Sequence, residues 1–63
     1  MLYSTAVNSA LRLAQKNSRD YFVIRELNES GNPDFHVASD YDLDTYFQGI
    51  SPDNILFCTF DHS

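Results

Sequence analysis

Apolar residues fall at helical spacing near the start of the chain and at the tighter spacing of strands further on, and the alternation of the two periods outlines the fold. Over residues 4–17, Val7, Ala10, Leu11 and Ala14, with Tyr3 just ahead, recur on one line, while Asn8, Arg12, Gln15 and Lys16 lie away from it. This is the pattern of an amphipathic helix. Leu2, Ala6 and Leu13 widen its stripe toward a second side, and Ser4 or Thr5 is the expected N-cap. Asn17-Ser18-Arg19-Asp20 breaks the period. Tyr21 to Leu27, rich in aromatic and β-branched residues, then reads as the strongest strand. Its apolar residues occupy both faces, Tyr21, Val23 and Leu27 on one and Phe22 and Ile24 on the other, which suits a central strand with cover on each side.

Asn28 to Pro33 has the composition of a turn, and Asp34 to Ala38 alternates as a second strand, so the pair forms a hairpin. A short helix follows over residues 39–49. Ser39 or Asp40 caps it, Asp42 stands in the capping-box position relative to Ser39, and Gly49 supplies a left-handed stop. Ser51 to Asn54 turns the chain into a last strand, Ile55 to Phe60. The resulting order, αββαβ, predicts a two-layer α+β domain spanning residues 1–63. Its three-stranded antiparallel sheet has the order 2-1-3, with both helices on one face. The apolar last strand lies at an edge, where it invites pairing with a second copy.

Sixty-three residues leave room for one hydrophobic core. A chain of this length buries only about 60% of its unfolded surface, so its stability is marginal unless assisted. Cys58 is the only cysteine, which excludes an internal disulfide, and with His36 and His62 it lacks zinc-finger spacing. Self-association is the assistance that remains, and a homodimer is expected. No apolar run reaches the roughly 18 residues of a membrane span, and the first residues do not form a signal peptide. The expectation is a cytoplasmic protein that does not bind membranes.

Net charge is −5, and it is unevenly placed. Arg12, Lys16 and Arg19 give residues 1–19 a charge of +3 with no acid, whereas residues 20–63 hold all nine acids against Arg25. Such a surface repels phosphates, so direct nucleic-acid binding is not expected.

Catalytic and cofactor chemistry finds little support in the residues. Asp40, Asp42 and Asp44 resemble the opening of a calcium loop, but Thr45 and Ser51 stand where that loop needs Gly and Glu. These carboxylates are better explained as first-turn acids that favour a helix dipole. His36 and Cys58 lie on strands separated by a third, roughly 9 to 10 Å apart, too far for proton transfer. Gly31 and Gly49 are each accounted for by a turn or a helix stop, which leaves no phosphate loop. No enzyme activity, cofactor or metal is expected.

The tyrosines and acids of the second half point elsewhere. Tyrosine combines a large apolar ring with a polar tip and is enriched at interfaces. Asp40, Tyr41, Asp42, Asp44 and Tyr46, joined by Asp53, are the expected contact surface for a protein partner with a basic surface. The alternatives are a structural homo-oligomer with no separate ligand, and a mimic of nucleic acid whose carboxylates occupy a DNA-binding protein. In length and acidity the chain resembles small accessory proteins of bacteria and their phages, a likeness that transfers no residue and no activity.

Overall fold

The computed structural model describes residues 2–62, with side chains described to Phe60. Helix α1 (Tyr3–Asn17) leads into strand β1 (Tyr21–Leu27), which pairs antiparallel with β2 (Pro33–Ser39). A six-residue helix α2 (Asp40–Thr45) and a single 3-10 turn (Pro52–Asn54) carry the chain to β3 (Ile55–Cys58), which pairs antiparallel with the other side of β1. The α+β class and the sheet order β2-β1-β3 are those that the sequence predicts.

Alpha1 packs through its smallest residues. Ala6 and Ala10 are fully buried against Val23, with Val7, Tyr21, Phe35, Val37 and Phe57 around them. Small side chains let a helix axis approach a sheet closely, and dispersion contacts are then made by backbone as well as side chain. The buried line therefore runs through Ala6 rather than along the Val7–Leu11 side, and Leu11 is exposed. The helix also begins earlier than Ser4 or Thr5 would set it. Leu2 occupies the cap position without a side-chain bond, the Ala6 N–H donates to the Leu2 carbonyl at 2.9 Å, and the Tyr3 ring meets Phe35 edge-on at 5.5 Å.

Strand register fixes which residues share a face. Val23 lies opposite Val37 and Phe57, and this face carries α1. Ile24 lies opposite His36 and points the other way, as successive strand residues must. Ile24 and Ala38 are nevertheless fully buried. Their cover is the segment that crosses from β2 to β3, whose Phe47 ring lies 6.2 Å from the His36 ring. Beta1, with apolar residues on both faces, thus has cover on each, from α1 on the Val23 face and from Phe47 in the turns after α2 on the Ile24 face.

Local polar bonds hold the connections. Asn28 ties the hairpin loop, its Oδ1 accepting from Ser30 N–H at 2.9 Å and from Asn32 N–H at 3.0 Å, while Gly31 takes the positive φ (81°) that the turn requires. Beta3 is shorter than the expected 55–60. At Thr59 the chain enters a 3-10 turn, and the buried Thr59 Oγ1 accepts from the Tyr21 N–H at 2.9 Å. Among the described residues no buried side-chain nitrogen or oxygen lacks a hydrogen-bond partner.

Candidate interaction surface

Ser39 and Asp42 position the acidic segment. The Ser39 hydroxyl accepts from the Asp42 N–H at 3.2 Å, and the Asp42 carboxylate accepts from the Ser39 N–H at 3.1 Å, which completes a capping box. Asp42 is therefore half-buried and committed to the helix start. Asp40 caps locally as well, its Oδ1 accepting from the Tyr41 N–H at 2.9 Å, but its side chain remains in solvent. Asp44 is exposed, and Tyr41 and Tyr46 show 64% and 80% of their surface.

Of the six expected contact residues, Asp40, Tyr41, Asp42, Asp44 and Tyr46 thus follow one another along α2 and its end. Asp53 does not join them at the helix start. That start lies by Ser39, opposite Tyr21, whereas the 3-10 turn carrying Asp53 lies at the Arg25 end of β1, where Arg25 Nη2 donates to Asn54 Oδ1 at 3.2 Å. The helix itself is shorter than the sequence implies. It ends at Thr45, with Tyr46 still in right-handed geometry, and turns continue to Gly49, which takes a φ of 88°.

A cleft of about 710 Å³ opens where these turns return past the end of β1. Leu27, Pro33, Tyr46, Phe47 and Ile50 supply its apolar lining, and Glu26 and the hydrogen-bonded Arg25–Asn54 pair supply polar groups. No sequence pattern predicts this cleft, because its lining residues come from four separate stretches, 25–27, 33, 46–51 and 54. The one local signal was Leu27, an apolar residue at the exposed end of a strand.

Beside the cleft, His36 Nε2 lies 3.5 Å from both Glu26 Oε1 and Asp34 Oδ2. Glu26 and Asp34 are direct cross-strand neighbours, and the imidazole lies within reach of both carboxylates. No group of three or more His, Cys, Asp or Glu among the described residues could hold a metal ion. His36 and Cys58 sit on the two strands that flank β1, opposite Ile24 and Phe22 respectively, and Cys58 is half-buried. Among the described residues no helix is long and apolar enough to cross a membrane. Comparison with known proteins gave no match to a family model, a curated protein or a solved structure.

Proposed function

We propose that this chain is a small acidic interaction module that binds a basic surface of another protein through the outer side of α2. The reading is carried by Tyr41 and Tyr46, large aromatic side chains left mostly in solvent beside the exposed carboxylates of Asp40 and Asp44. No Lys or Arg occurs after Arg25, so nothing in this half of the chain screens those carboxylates with a fixed cation. An anionic surface of this kind accelerates encounter with a basic partner, and tyrosine rings supply the contact area that slows its departure. Asp42 contributes charge but has its carboxylate engaged at the cap, and Asp53 contributes at a distance.

The test is kinetic. A partner captured from the source cells is offered the wild-type chain and the double variant Asp40→Lys, Asp44→Lys at low and high salt. Association of the variant should be about tenfold slower at low salt, with a flattened salt dependence. Equal rates for the two chains at both salt concentrations would remove the proposal.

A further inference from the structure

We infer that the cleft between the end of β1 and the turns after α2 receives an arginine side chain of the basic partner. This inference rests on the interaction reading and names the anchor point within it. Two of the large apolar side chains left most exposed, Leu27 at 69% and Tyr46 at 80%, belong to residues that line this one cleft. Exposed large side chains are ordinary when scattered singly, whereas two converging on a concavity mark a place where a partner inserts.

Chemistry selects what enters. An arginine has an apolar stem and a flat cationic head, and the cleft offers apolar walls with a carboxylate at the margin. The stem lies along Leu27 and Pro33, and the guanidinium faces the Tyr46 ring and the Glu26 carboxylate, whose side chain is about half exposed (48%). Arg25, the cation among the lining residues, has its guanidinium held to Asn54 Oδ1 at 3.2 Å. The surrounding field favours the same sign of guest, because every formally charged residue from 26 to 60 is an acid when the histidine is neutral. A carboxylate-bearing guest would meet Glu26 and that field unfavourably.

The experiment titrates the full, isotope-labelled chain with the peptide acetyl-Gly-Gly-Arg-Gly-Gly-amide, following backbone amides by NMR. Parallel titrations use the same peptide with lysine or with uncharged citrulline in place of arginine. Saturable shifts are expected at Leu27, Phe47 and Gly49, with an affinity on the order of millimolar for so small a ligand. The lysine peptide should bind about threefold more weakly and the citrulline peptide about tenfold more weakly. Glu26→Gln and Tyr46→Ala should each weaken arginine binding about threefold to fivefold, with strand amide dispersion retained as the check on folding. Shifts confined to Asp40, Tyr41 and Asp44 would overturn the cleft assignment and leave the interaction reading in place. Citrulline binding as tightly as arginine would overturn it too. Cleft binding by the arginine peptide, combined with a captured partner indifferent to Asp40→Lys, Asp44→Lys, would instead remove the interaction reading of α2.

Discussion

Ser18 holds a backbone conformation that suits glycine better. It ends α1 at φ 54° and ψ 43°, in the left-handed region where a Cβ crowds the following carbonyl. Its side chain is exposed, so no packing would be lost on removing it. Ser18→Gly should raise stability by about 0.5 to 1 kcal/mol, the relief of strain exceeding the added freedom of the unfolded chain. A urea midpoint that falls in the variant would refute this account of the cap. At this scale the sequence is unevenly legible. The capping box at Ser39 and Asp42 is plain in it, because both partners are polar residues three apart. The start of α1 is not, because a backbone bond to Leu2 and a ring contact to Phe35 set it in preference to the hydroxyls of Ser4 and Thr5.

Beta1 is the element on which the rest depends, since it pairs on both edges and is buried on both faces at its centre. Its aromatic and β-branched run made it legible as the central strand, and sheet order followed from that. Which face the β2–β3 crossover takes was not legible, because no local period records how a connection runs over a sheet. The choice has a measurable consequence. Were the crossover on the α1 face, Ile24 would sit on a bare surface and its truncation would cost little. Buried as it is, Ile24→Ala should cost about 2 to 5 kcal/mol, from lost transfer energy and the cavity left under the crossover. A small single core rarely supplies more than about 3 to 5 kcal/mol in total, so the variant should be largely unfolded at room temperature. Amide dispersion and denaturation by urea both report this. A loss below about 1 kcal/mol would mean that the crossover leaves that face open.

The whole molecule combines a thin core with an asymmetric charge. Among the described residues three of the five fully buried hydrophobic ones are alanines, so little apolar volume opposes the conformational entropy of the chain. That shortage favours anything that binds the folded state, whether a partner or a second copy. The proposed acidic contact surface is drawn from residue types that follow one another in sequence. The cleft was not, because only the crossover path brings Tyr46 and Ile50 to Leu27 and Pro33. Between partner and second copy, the edge of the sheet decides. Beta3 offers an exposed Leu56 with Phe60 just beyond it, which taken alone would recommend edge pairing. The strand is only four residues long, however, and the chain leaves it for a 3-10 turn at Thr59. Its register also shifts by one residue between Val23 and Ile24, so that Leu56 is the extra residue of a bulge. Brevity and a bulge both blunt an edge, because a new strand finds few N–H and C=O groups in line. A second copy would also bring a further net charge of −5. The chain should therefore sediment as a monomer, with Leu56→Lys leaving its sedimentation unchanged. A dimer that tightens at high salt and is lost in Leu56→Lys would show that the edge pairs after all, and would put the homo-oligomer ahead of the interaction module.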